Sequence, residues 1–311
     1  MEEEILAKAY DHRLMRRLAA YLQPYSRAIA GALVCLLAHS LLQVAGPILT
    51  KLAIDGYFSG PTGSRPAFLP ADPVRGLWLV SAIYLAVLLT SMLAEYGQTW
   101  LMQWTGQRAM FDLRRDLMTR LQTLDLPFFD QNPVGRLVTR VTSDVDTLNE
   151  LFTSGIVTIL GDLLMLGFTA FTMFRLSPGL TLILLAALPF VILTAALFRR
   201  AVAASYRKIR AAVARINAHL QEHVTGMSVV QLMNREAKAR AQFDSVNREH
   251  MDAYRDSIRA YGWFYPVVEF LSMLALAALL AWGGVQVQTG GLTLGILVAF
   301  FQYGVRFFRP I

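Results

Sequence analysis

The sequence predicts an all-α membrane protein of six long transmembrane helices, and three observations carry that prediction. Of 311 residues, 55% are hydrophobic and only 16% charged, against about a quarter charged in ordinary soluble domains, and the mean hydropathy is +0.43. Apolar runs long enough to cross about 30 Å of hydrocarbon fall near 28–50, 77–102, 151–174, 179–198, 263–287 and 292–308. None shows the period-two alternation of a barrel strand, and unpaired backbone groups are not tolerated in lipid, so the spans are helical.

Residues 1–27 form an N-terminal segment whose start, Met1 to Ile5, is acidic, and no small-residue cleavage site follows the first apolar run, so no cleaved signal is expected. Within that segment His12 to Tyr25 is amphipathic. The first run holds His39 and the lone Cys35, which excludes a disulfide framework or cysteine metal cluster. A Pro/Gly-rich loop spans 55–73, with Pro61, Pro66, Pro70 and Pro73. The second run carries Glu95 and continues past the bilayer, because Trp104 to Leu124 lacks proline and places Leu113, Leu117, Leu121 and Leu124 at three-to-four spacing. That extension predicts a helix protruding roughly 30 Å. Asp162 lies in the third run, a short turn covers Arg175 to Pro178, and Pro189 is expected to kink the fourth run. Segments 199–225 and 236–260 are again amphipathic and proline-free, each reaching about 40 Å as a helix. The fifth run holds Glu269, Gln288 to Gly291 forms a turn, and the sixth run holds Phe300, Phe301, Tyr303, Arg306, Phe307 and Phe308.

Basic residues give an orientation through the positive-inside rule. Five lie in 1–27, six in 104–150 and twelve in 199–261, whereas the opposite side has Lys51, Arg65, Arg75 and Arg175. Both termini are thus expected in the cytoplasm, with external connections at 55–73, 175–178 and 288–291. The +7 net charge reports this asymmetry and not a nucleic-acid partner, since the basic residues follow the spans. Trp100, Trp104, Trp263, Phe264 and Tyr265 sit near the expected inner boundary and Trp282 near the outer one, as interfacial anchors do.

Four long cytoplasmic legs result, and two hairpin tips join them in pairs. The first tip reads LPFFDQNPVGRLVTRVTSDVDTLNELF and the second QEHVTGMSVVQLMNREAKARAQF. With these residues the chain resembles the exporter class of ABC transporters, specifically its six-helix membrane domain, over residues 28–311. Phe128, Phe129, Asp130, Pro133, Gly135, Arg140, Asp144 and Asp146 stand where that family has its first coupling-helix signature. Glu222, Gly226, Val230, Glu236 and Phe243 resemble the second region, His12 to Tyr25 the family's elbow helix, and YGVRFFRPI the inner half of its last helix.

The resemblance implies two coupling regions, near 127–140 and 226–236, that dock on a nucleotide-binding domain. Its contact residues would be Phe129, Asp130, Asn132, Pro133, Gly135 and Arg136 in the first, and Gly226, Met227, Val230, Gln231 and Met233 in the second. It also implies a second half-transporter, as homodimer or heterodimer, forming a domain-swapped twelve-helix assembly in a bacterial inner membrane. ATP and Mg would be bound by a nucleotide-binding domain expected after Ile311 in the same polypeptide. None of the four lysines here follows a glycine, so the Gly-Lys-Ser/Thr element of a phosphate-binding loop is missing from these residues. Gln231 and Met233 stand where relatives commonly have a lysine and then an aromatic, which suggests a docking contact tuned to a particular partner. The implied activity is ATP-driven export of a drug, lipid or peptide by alternating access.

Ionisable groups inside spans are costly. Glu95, Asp162, Glu269 and Arg306, with His39 and Phe300, are therefore candidates for a substrate path, and structural polar contacts are the equal alternative. Three acids in separate spans favour cationic cargo, and the same acids would serve proton coupling in a secondary carrier or channel without an ATPase. His219, Glu222 and His223 spell H-x-x-E-H on a helix, the pattern of an inverted zinc-peptidase motif. The motif needs a distant third ligand and a pocket, so two solvated histidines are the favoured reading and no metal site is assigned.

Overall fold

The computed structural model describes residues 20–58, 69–150, 155 and 157–308. Most of the expected elbow helix, the centre of the 55–73 loop with Pro61 and Pro66, the start of the third span and the closing Arg309 to Ile311 lie outside the described residues.

All the elements among the described residues are helical. A 3-10 turn, Gln23–Tyr25, leads into α1, Ser26–Tyr57. Next come α2, Pro73–Gln122, and three short helices, α3 Leu126–Gln131, α4 Val134–Val141 and α5 Ser143–Glu150. Then follow α6 Val157–Leu176, α7 Pro178–Leu185 and α8 Leu188–Thr225. The series ends with α9 Met227–Leu232, α10 Glu236–Gln288 and α11 Leu294–Phe307. Five helices are long and apolar enough to cross a membrane, and α11 is a shorter apolar helix of the expected sixth run. At 50 and 53 residues, α2 and α10 are about 75 and 80 Å long, far more than a bilayer requires. Pro189 does more than kink its run. The helix stops at Leu185 and restarts at Leu188, so the proline falls in the first turn of α8, where its missing N–H costs nothing.

The chain divides into two compact units, one comprising the described residues up to Ser177 with Gly290–Tyr303, the other Pro178–Thr289 with Gly304 onward. In the first, α1 packs along α2 and α6 through small residues: a Cβ on Gly97 would lie 3.4 Å from Cys35 Sγ, and one on Gly161 3.1 Å from Leu36 Cδ1. Small side chains allow such close approach in lipid, where helices have no hydrophobic drive to associate. Tyr303 of α11 is 1% exposed and donates its hydroxyl to the Val44 carbonyl at 2.6 Å. Below the apolar portion, Ala109, Met110 and Leu113 of α2 form a core with Val145 of α5, and Arg114 pairs with Asp146.

In the second unit α8 and α10 pack as a long pair. Its apolar part buries Leu180, Leu184, Val191 and Leu279 completely. Phe198 stacks on Phe264 with ring centroids 4.0 Å apart. Its polar part has a small core of Ile209, Ala212 and Ala253, flanked by ion pairs Lys208–Asp256 at 2.6 Å and Arg215–Glu249 at 2.9 Å.

Candidate functional site

Along α1, His39, Ser40 and Gln43 recur at three-to-four spacing and so share one helix face. With Glu95, Gln98 and Thr99 of α2 and Thr158 and Asp162 of α6 they line a cavity of about 250 Å³ inside the first unit. Gln43 Nε2 donates to His39 Nε2 at 2.8 Å, which leaves Nδ1 to donate to the Ser91 carbonyl at 3.1 Å. The imidazole is thereby fixed in one tautomer and orientation. Asp162 is half-buried and Glu95 exposed. Neither Lys nor Arg stands among the described residues lining the cavity, so its charged groups are carboxylates, set in an apolar run where a lone charge is expensive.

His39, Glu95 and Asp162 are thus brought together from three spans. The other expected path residues are not: Glu269 is exposed on α10 in the second unit, Arg306 is half-buried on α11, and Phe300 is 0% exposed, presenting no surface. The uncharged polar lining residues escaped the sequence reading, which singled out intramembrane charges and the aromatics of the sixth run; the signal was the polar stripe at helical spacing. Further toward the C-terminal ends of α1 and α6 lies an apolar groove of about 660 Å³, lined by Leu41, Val44, Ala45 and Ile48 of α1 and by Gly167, Phe168, Phe171 and Thr172 of α6.

Asp55 was also missed. Only 3% exposed, it accepts from the Thr293 hydroxyl at 2.8 Å and the Gly295 N–H at 2.9 Å. A residue of α1 therefore satisfies orphan donors at the start of α11, where a negative charge is favoured.

At the first tip, Asp125 precedes α3 and Pro133 precedes α4. Phe129, Asp130, Pro133, Gly135 and Arg136 are exposed, and Asn132 donates to the Phe128 carbonyl at 2.9 Å. Leu137 turns inward, whereas Leu126, Val134 and Val138 are 79%, 70% and 55% exposed. At the second tip Gly226 separates α8 from α9, and Asn234, with φ of 50°, ends α9 in the left-handed conformation that asparagine tolerates. Met227, Gln231, Leu232 and Met233 are exposed, with Gly226 and Val230 half-buried. Each tip thus shows water an apolar surface at the end of long helices, the kind of patch that marks an interaction site.

On the same α8 leg, the His219 and His223 rings stack with centroids 3.9 Å apart. Among the described residues no group of three or more His, Cys, Asp or Glu is placed to hold a metal ion.

Comparison with known proteins agrees with this architecture. The family model for the ABC transporter transmembrane region matches residues 29–311. The uncharacterized ABC transporter ATP-binding protein YknV of Bacillus subtilis (strain 168) is 30% identical over 310 residues, 99% of this chain and 50% of its own length. An ATP-dependent lipid A-core flippase of Syntrophus aciditrophicus (strain SB) is 26% identical over 298 residues, 96% of this chain and 48% of its own. A fatty acid ABC transporter ATP-binding/permease protein of Mycobacterium bovis is 31% identical over 230 residues, covering 74% of this chain and 36% of its own. The chain spans at most about half the length of these relatives.

Proposed function

Since the chain belongs to the family of ABC transporter transmembrane regions, we propose that it is the membrane half of an ATP-driven exporter moving an amphipathic substrate out of the cytoplasm. The observation that carries this reading is the exposed apolar surface of the two tips, above all Val134, Val138, Leu232 and Met233. Hydrophobic surface at the end of a helix that far exceeds the bilayer has a use only if something docks there. The partner is a nucleotide-binding domain in the same polypeptide, holding ATP and Mg, with Phe129, Asp130, Asn132, Pro133, Gly135 and Arg136 in one contact and Gly226, Met227, Val230, Gln231 and Met233 in the other. A second copy or a related half-transporter completes a twelve-helix, domain-swapped assembly in the bacterial inner membrane. ATP drives the cycle because it binds one arrangement of the assembly better than the other, and the tips carry that difference in affinity to the spans. Glu95 and Asp162 lie on the cargo's route.

Cysteines at Gly135 and Met227 in the complete polypeptide test this. A Cβ on Gly135 meets nothing within 4 Å and Met227 is exposed, so neither substitution disturbs the fold. Both are expected to crosslink to cysteines in the ATPase module, with a yield that changes on adding ATP. Absence of any such crosslink, in protein whose ATPase is active, would overturn the docking of an ATPase module on these tips. Leu232→Asp should uncouple the two halves, leaving the protein folded while ATP-driven transport falls at least about tenfold, one decade per 1.4 kcal/mol of lost coupling.

A further inference from the structure

We infer that the polar cavity and the apolar groove beside it form one binding site for an amphipathic monocation, its charged head among Glu95, Asp162 and Ser40 and its apolar body against Leu41, Phe168 and Phe171. This rests on the export reading and names the class of substrate for it. Three observations lead there. The cavity has two carboxylates and no basic side chain among the described residues lining it. His39 is engaged on both ring nitrogens, Nε2 accepting from Gln43 at 2.8 Å and Nδ1 lying 3.1 Å from both the Ser91 carbonyl and its hydroxyl. Ser40 is 2% exposed as a residue, and no hydrogen bond to its hydroxyl is found among the described residues. It lines the cavity and is available to a ligand or its water.

Size decides how a ligand sits. About 250 Å³ is below the 300–1,000 Å³ of sites that enclose a drug-sized molecule, so the polar chamber takes a head group only. The groove of about 660 Å³ begins at Leu41 on α1 and Gly167 on α6, offset from the first cavity residues Leu36 and Val157 by about 8 and 15 Å at 1.5 Å per residue. A flexible chain or aromatic body attached to the head reaches it without leaving the two helices. An anionic head would face two like charges in a medium that screens them poorly, and a neutral one would leave both uncompensated.

The test uses the complete protein, nucleotide-free, in nanodiscs of zwitterionic lipid. Two fluorescent probes of one shape are titrated: a dansyl-labelled decyltrimethylammonium and the isostere in which tert-butyl replaces trimethylammonium. The cation is expected to bind about tenfold more tightly, equivalent to roughly 1.4 kcal/mol. In E95Q/D162N that ratio should fall below about twofold, with the neutral probe bound as in the wild type, which also reports folding. Should the double variant not fold, E95Q alone serves, since Glu95 is exposed. Equal affinities in the wild type, or a preference that survives the substitutions, overturns the inference. ATP-driven uptake of both probes into inverted vesicles is measured alongside. Uptake of the two at equal rates keeps export and overturns charge selection, whereas no uptake of any compound from a wider lipid and drug panel defeats export itself.

Discussion

Asp55 is the residue on which the junction between α1 and α11 turns. Its carboxylate takes the Gly295 N–H and the Thr293 hydroxyl while 3% exposed. Asp55→Ala strands a buried amide, which costs about 1–3 kcal/mol, and should lower the unfolding temperature in detergent by several degrees. Asp55→Asn keeps one acceptor oxygen and should lose less. Gly295→Ala attacks the same contact from the other side, because its Cβ would stand 2.5 Å from Asp55 Oδ1 and 2.6 Å from the Lys51 carbonyl; unfolding at the wild-type temperature would show that this packing is not as tight as the geometry indicates. Nothing in the sequence pattern singles Asp55 out. The apolar run ends near residue 50 whereas the helix continues to Tyr57, so a buried capping residue reads as the first residue of a loop. Glu95 and Asp162 were legible for the opposite reason: a charge inside an apolar run has few bland explanations.

The legs are the elements where periodicity served best, since Leu113 and Ile209 fall at buried positions on amphipathic stripes that the sequence shows without help. Breaks were harder. A proline in an apolar run announces a disturbed hydrogen bond but not its remedy, so the two-residue interruption before Pro189 was expected only as a kink, and Pro47 and Pro266, inside α1 and α10, drew no comment. The ion pairs along the second leg pair give a pH dependence with a definite sign. The hydrogen bond from Lys208 holds the Asp256 carboxyl below the ordinary aspartate value, so the pair's contribution is present above that ordinary value and is lost as pH falls through the lowered one. Amide exchange near Lys208 and Asp256 should be slightly faster in Asp256→Asn than in the wild type at pH 7, the pair being solvent-exposed. That difference should shrink as the pH is brought below about 4. A difference that persists unchanged there would assign the effect to packing.

For the whole molecule, length and charge distribution argue together. Five helices long enough to span and a sixth apolar one put two connections, those at 175–178 and 288–291, between helices with few basic residues, while the long legs carry arginines and lysines in quantity. Lys and Arg retained on one side set orientation, so the tips should lie in the cytoplasm and Thr289, after α10, outside. A membrane-impermeant maleimide added to intact cells should therefore label Thr289→Cys and leave Ser228→Cys untouched until the membrane is opened. Both sites are exposed, so reactivity there reports the side of the membrane and not burial. Labelling of Ser228→Cys in sealed cells would invert the topology, place the exposed apolar tips outside, and remove any route by which cytoplasmic ATP could act on them.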